Sequence, residues 1–159
     1  NTHETEWGFS CMSYEISGAL GIKMANPNKE VIAFVGDGSY LLYNSDIYSS
    51  VITNHKLIII VCDNGGHAVI NRLQIYKGGK EFNCLFESSK VNNLKNIDFA
   101  KHAESLGAIG ENVSSISDLE AAFVRAKKSK STYVISIKTD GYQWLEGSAY
   151  WESPTLQKT

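Results

Sequence analysis

Asp37 stands between two glycines in VGDGSY, directly after the apolar run VIAFV, and a second acid, Asp63, opens DNGG directly after LIIIVC. A charged residue flanked by glycines has nothing to pack, so both clusters read as loops at the carboxyl ends of buried strands. In an open α/β sheet, ligands lie outside those ends. If a helical crossover joins two neighbouring strands there, Asp37 and Asn64 face one site. One carboxylate and one amide oxygen make a poor calcium cage. They suit magnesium, which takes one or two side chains and completes its shell with phosphate oxygens and water. The pattern therefore predicts a phosphorylated ligand held through magnesium, with Gly38 and Ser39 opening a helical segment whose amides meet the anion. A dinucleotide fingerprint fails because Leu41 stands where G-x-G-x-x-G needs its third glycine, and there is no G-K-[ST] phosphate loop. No acidic ladder follows, which excludes an EF-hand. GDG or DNGG alone reads as a tight turn; the pair, each after a buried strand, reads as a site.

The elements that must position these residues follow from apolar spacing. YEISGALGIKMA (14–25) places Ile16, Leu20 and Met24 at helical intervals and is stopped by NPN. VIAFV (31–35) is short and continuously apolar, the pattern of a strand buried on both faces. SDIYSSVITN (45–54) is helical, with Ile47 and Val51, less neatly Tyr48 and Ile52, on one side. LIIIVC (57–62) is a second buried strand. NIDFAKHAESLGA (96–108) carries Ile97, Phe99, Ala100, Ala103 and Leu106 on one stripe, with Gly107 where a helix-ending glycine belongs. Ser117 and Glu120 have capping-box spacing at the start of another helix, whose buried face is Leu119, Ala122, Phe123 and Ala126. TYVISIK (132–138) is the third strong strand. Strands alternating with helices predict an α/β fold, a three-layer αβα arrangement around a mostly parallel central sheet. Residues 77–95 are the least regular stretch and read as a surface loop or lid.

The composition of the 159 residues, 43% of them hydrophobic, fits one folded domain. Fifteen Lys and Arg against seventeen Asp and Glu, a net charge of −2, give no electrostatic reason to expect nucleic acid or a membrane surface as partner. RAKKSK (125–130) reads as the exposed end of a helix, where cations suit the dipole. Cys11, Cys62 and Cys84 are odd in number and widely spaced, so neither a disulfide framework nor a zinc site is implied, and a reducing cytoplasm fits. The longest apolar run is strand-sized, far below the ~20 residues of a membrane span. NTHETEWGF is polar and acidic, unlike a signal peptide. A chain starting this abruptly, without Met, is expected to be a piece of something longer, one domain over residues 1–159.

GDGSYLL followed by DNGG resembles the signature of the thiamine-diphosphate-dependent enzymes, and the resemblance covers nearly the whole chain as the domain that binds the cofactor's diphosphate. It implies a magnesium ion held by Asp37, Asn64 and the carbonyl of Gly66, with Gly36, Gly38, Ser39 and His67 around the cofactor. Asp63 stands where many relatives have Asn and need not touch the metal. GFSCMSYEISGALG is similar to the segment that grips the aminopyrimidine: the Ser10 carbonyl accepts the exocyclic amine, and Met12 wedges the cofactor bent. Met12 has a second reading as a core methionine. Ser13 stands where relatives usually carry Gly.

The family activates the aminopyrimidine with a glutamate from a separate pyrimidine-binding domain, usually on a second subunit. Nothing here corresponds to that domain, so the resemblance implies a homo-oligomer when full length, and inactivity of this chain alone. Glu15 is read as a supporting or solvent-facing side chain, and His3, His55 and His102 as surface residues. His67 is open between a proton shuttle to substrate and a loop histidine touching solvent; no other catalytic residue is assigned. Within the family, EWGFSCMSYEISGALG, CDNGGHAVINRLQ, IDFAKHAESLGA and TDGYQWLEGSAYW resemble the branch of hydrolases that opens a cyclic dione in myo-inositol breakdown. The alternatives are the small subunit of a two-chain 2-oxoacid decarboxylase, an acetolactate-synthase-like enzyme, or a non-catalytic assembly domain.

Overall fold

The computed structural model of the chain describes residues 2–5, 11–90 and 96–143. Its elements run α1 (Tyr14–Ala25), β1 (Ile32–Gly36), α2 (Asp37–Leu42), α3 (Ser45–Ile52), β2 (Ile58–Asp63), α4 (Ala68–Tyr76), a 3₁₀ turn at Phe86–Ser88, α5 (Phe99–Ser105), β3 (Ile109–Val113), α6 (Ile116–Lys128) and β4 (Tyr133–Lys138). The strands form one parallel sheet in the order β1-β2-β4-β3. The α/β alternation predicted a parallel sheet covered by helices, and that is the architecture.

Pleating divides the core in two. Ala33, Val35, Ile59, Val61 and Val134 pack with Ile16, Leu20, Tyr40, Ile47, Phe99 and Ala103 from the α1, α3 and α5 side. Ile58, Ile60, Ile135 and Ile137 pack with Ala122 and Ala126 of α6. β2 is buried along both faces, as its unbroken apolar run requires. β1 is not: Ile32 is 41% and Phe34 63% exposed, correcting the expectation of a strand covered on both sides. Continuous apolarity does not distinguish central from edge strands, and β1 is an edge strand here.

β3 was not expected at all. Its sequence IGENV offers one buried side chain, Val113, and its place comes from contact with α5 as well as from pairing with β4. A Cβ on Gly110 would lie 2.1 Å from the Ala100 carbonyl oxygen and 2.5 Å from its carbon, so only glycine lets the strand lie that close to the helix. Both contacts are backbone and cannot swing away. We expect Gly110→Ala to destabilise the fold by about 1–3 kcal/mol, read as a lower urea midpoint.

Helix α6 begins two residues earlier than Ser117 suggested. Ser115 caps it, accepting from the Asp118 amide at 3.1 Å, so the cap pair is Ser115 with Asp118 and Glu120 is merely exposed. The basic last turn lies exposed as expected, and Arg125 reaches back to Glu111. That guanidinium first, and the Tyr133 hydroxyl at 2.5 Å with it, hold the Glu111 carboxyl below its ordinary value. α5 is shorter than 96–108, capped by the Asp98 side chain, and Gly107 ends it with φ +85°. His102 is no free surface residue: its Nδ1 lies 2.9 Å from the hydroxyl of buried Tyr40.

Candidate functional site

Parallel pairing of β1 with β2 sets Gly36 opposite Cys62, so the next residues, Asp37 and Asp63, emerge side by side at the carboxyl ends. Asp37 is fully buried at the start of α2, where its Oδ2 accepts from the Gly66 amide at 2.6 Å. Burial first, and the neighbouring Asp63 second, push its carboxyl above the ordinary value, while the amides of Gly66, Gly38 and Asn64 pull it down. The Asn64 amide ends 2.9 Å from both Asp37 Oδ1 and the Gly66 carbonyl oxygen. With its nitrogen on that side it donates to both. With its oxygen there, three oxygens converge on one point, the donor set that a small hard cation takes. Among the described residues, no group of three His, Cys, Asp or Glu side chains could hold a metal, so the oxygen set at Asp37, Asn64 and Gly66 stands apart in chemistry as well as place.

Asp63 has other partners. Its Oδ1 accepts from the Gly65 amide at 3.2 Å and its Oδ2 meets Lys138 Nζ at 2.5 Å, so the charge is paired at the β2–β4 boundary. The DNGG turn is pinned from outside. His67 N donates to the Cys84 carbonyl at 2.7 Å, Phe86 N donates to the Gly65 carbonyl at 2.8 Å, and Gly66 bridges Leu85 in antiparallel fashion. Part of the irregular 77–95 stretch is therefore packed structure, with Leu85 buried; residues 91–95 lie outside the described residues.

A cleft of about 1060 Å³ opens beside these oxygens, lined by residues of α1, β1 and α4. Met12, Gly36, Gly38, Ser39, Asn64, Gly66 and His67 all line it, so the structure brings together nearly every residue that the sequence singled out. Ser10 lies outside the described residues. Met12 is 40% exposed, which removes its reading as a core methionine. A Cβ on Gly36 would meet nothing within 4 Å, leaving the cleft open at its floor, whereas one on Gly38 would lie 2.4 Å from His67 Nδ1 and 3.1 Å from the Gly66 carbonyl. Ser13 is buried at positive φ, 76°, and its hydroxyl donates to the Ser39 carbonyl, tying the start of α1 to the GDG segment.

Of the two readings of Glu15, supporting or solvent-facing, the structure removes the second. The side chain lines the cleft with Oε2 buried and without a hydrogen-bond partner, an acceptor awaiting a donor rather than a solvent-facing acid. Two further participants escaped the sequence reading: the 84–86 clamp on the turn, and Gly141, whose added Cβ would lie 2.8 Å from the Asn64 carbonyl oxygen. The signal was available for Gly141, since it follows the third strong strand and loops after neighbouring strands share one crevice.

Residues 1–137 match the family described as thiamine pyrophosphate enzyme, C-terminal TPP binding domain. Proteins named 3D-(3,5/4)-trihydroxycyclohexane-1,2-dione hydrolase are similar to the chain. That of Halalkalibacterium halodurans is 43% identical over 148 residues, 89% of this chain and 23% of the relative. That of Shouchella clausii is 42% identical and that of Bacillus subtilis 39%, each over 157 residues, 94% of this chain and 24% of the relative. The chain thus spans about a quarter of the length of these relatives. Among solved structures, the thiamine diphosphate-dependent 4-hydroxybenzoylformate decarboxylase of Rhodococcus jostii RHA1 superposes with a TM-score of 0.65 at 21% identity, over 81% of this chain and 23% of that one, a likeness of fold.

Proposed function

The chain belongs to the thiamine pyrophosphate enzyme family, as its C-terminal cofactor-binding domain, and from that premise we propose that it holds the diphosphate of thiamine diphosphate through magnesium as part of a ring-opening hydrolase. The observation that carries this is the convergence of Asp37 Oδ1, the Asn64 amide and the Gly66 carbonyl at 2.9 Å beside an open cleft. Asp37, Asn64 and the Gly66 carbonyl would hold the metal, and Gly36, Gly38, Ser39 and His67 would border the diphosphate. Met12 and the Ser10 carbonyl would hold the aminopyrimidine. The unpartnered Glu15 oxygen suits a donor brought by a ligand in the same cleft.

When bound, the cofactor supplies a thiazolium that acts as an electron sink for breaking a bond between carbons. The work left to this chain is to bind, bend and dehydrate. Asp37, kept from solvent, meets its counter-charge in a low-dielectric setting where the attraction is strong. Met12 offers an apolar edge in the cleft against which a ring can rest.

The substrate in this reading is trihydroxycyclohexane-1,2-dione, opened by hydrolysis of a bond between carbons in myo-inositol degradation. Identities near 40% to proteins of that name over most of the chain support it. The rest of the active site would come from a pyrimidine-binding domain of the same enzyme, contributed by a second subunit of a homo-oligomer. The exposed Ile32 and Phe34 along the β1 edge are consistent with such a neighbour. A cytoplasmic location belongs to the same proposal; among the described residues no helix is long and apolar enough to cross a membrane. Titrating thiamine diphosphate by calorimetry, with magnesium and then with chelator, into the full-length enzyme that joins this domain to its pyrimidine-binding domain tests the binding. Heat that depends on magnesium is expected, together with consumption of the dione by the loaded protein. Binding without dione turnover would refute the substrate and keep the cofactor.

A further inference from the structure

We infer that Tyr142 is a positioning residue for the metal-binding turn: its phenol clasps the 81–88 loop, and that loop holds the Gly66 carbonyl in place. The inference rests on the cofactor reading above and extends it to a segment outside both glycine motifs.

The segment after β4 runs across the site. Thr139 N donates to the Asp63 carbonyl at 2.9 Å, continuing the β2–β4 pairing past the last ladder residues. Asp140 Oδ1 then accepts from the amides of Tyr142 at 2.7 Å and Gln143 at 3.1 Å, which turns the backbone and fixes where Tyr142 begins. Between them Gly141 lies against the Asn64 carbonyl, too close for any side chain. Tyr142 is thereby launched from a point in contact with the DNGG turn.

Its hydroxyl donates to Glu87 Oε1 at 2.5 Å and lies 3.4 Å from Glu81 Oε1. Glu81 in turn accepts from Asn71 Nδ2 of α4 at 3.2 Å. The phenol therefore ties both ends of the loop to the framework. Between those ends sit the three contacts that pin the turn: the Cys84 carbonyl on His67 N, Phe86 N on the Gly65 carbonyl, and the Gly66–Leu85 bridge. Without the phenol, Glu81 keeps its Asn71 donor but nothing joins Glu87 to it, and the loop loses its tie at the Glu87 end. Tyr142 is itself half-exposed, so its hydroxyl adds little to the core and much to the register of the loop. The two carboxylates around it, Glu87 foremost, push the phenol up to about 12, so it keeps its proton throughout the working range.

The test compares the full wild-type chain with Tyr142→Phe, Glu87→Ala and Glu87→Gln. Amide hydrogen exchange at His67 and Phe86 reports the clamp, and magnesium-dependent thiamine diphosphate affinity reports the site. Tyr142→Phe is expected to speed exchange at both amides and weaken affinity by about tenfold, with the amides of β2 unchanged. Glu87→Ala reproduces both effects from an exposed position, and Glu87→Gln, which keeps an acceptor for the phenol, restores them. Unchanged exchange and affinity in Tyr142→Phe, or in Glu87→Ala should the first not fold, overturn the clasp. A wild-type chain that binds no cofactor refutes the cofactor reading, while its exchange rates still decide the clasp.

Discussion

Asp37→Asn will abolish the magnesium-dependent binding of thiamine diphosphate and leave the cofactor-free fold at least as stable as the wild type. The two halves of this result have one cause. Asp37 is fully buried, with Asp63 beside it, and the compensation it receives comes from neutral amides, the backbone amide of Gly66 at 2.6 Å and the Asn64 side chain at 2.9 Å with its nitrogen turned inward, and from no cation. A buried carboxylate held by amides alone costs stability, because desolvation and like charge both oppose its ionised form. Asparagine keeps an oxygen for the Gly66 amide and discards the charge. A protein that retains the costlier residue is keeping it for something outside its own fold. With magnesium and diphosphate present the balance reverses, since the charge then faces a divalent cation, while the neighbouring Asp63 is already paired with Lys138. Losing it should weaken cofactor binding by at least about 100-fold, or roughly 3 kcal/mol. The measurement is a pair of thermal melts of the full chain. Saturating cofactor and magnesium should raise the wild-type midpoint, by about 2.7 kcal/mol of added stability at a hundredfold excess over Kd, and leave the Asp37→Asn midpoint where it was. A cofactor-dependent rise that survives the substitution would remove Asp37 from the metal site.

How much of this was legible beforehand divides along physical lines. Asp37, Asn64 and Gly66 could be read because the period of the chain shows where buried strands end, and parallel sheets collect those ends in one place. β2 and α1 could be read because each is a run of one period with a clear stop. β3 could not, because IGENV owes its position to the Gly110–Ala100 contact, which leaves no trace in local hydrophobicity. The exposure of Phe34 was hidden for the opposite reason: its apolarity is that of a buried strand, and only the sheet order shows that β1 is an edge with Phe34 uncovered among the described residues. The Ser115 cap was missed by competition, since SSIS offers several hydroxyls and the backbone chose an earlier one. The clamp by residues 84–86 is the hardest case. It is made almost wholly of backbone hydrogen bonds, for which Cys84, Leu85 and Phe86 carry no signature.

That clamp leads to the other large expected effect, Gly66→Ala. Gly66 has φ +135°, a conformation that only glycine adopts without strain, and its Cβ would sit 2.4 Å from the Cys84 carbonyl oxygen and 3.2 Å from Leu85 Cα. Strain of this kind costs about 1–3 kcal/mol, and overpacking against backbone adds about as much. We expect a loss of about 2–4 kcal/mol in urea melts, together with loss of magnesium-dependent cofactor binding, because relief requires moving either the 84–86 segment or the Gly66 carbonyl itself. Gly38→Ala is the informative contrast. Its Cβ would also come within 2.4 Å of a neighbour, but that neighbour is the His67 ring, which can rotate away. Its fold should therefore survive with little loss, while the displaced ring and the 3.1 Å approach to the Gly66 carbonyl disturb the cleft. If the two glycines served only to make tight turns, the two substitutions would differ in stability and agree in sparing the ligand. If the turn exists to aim a carbonyl at a cation, both lose cofactor affinity and Gly66→Ala alone loses the fold as well.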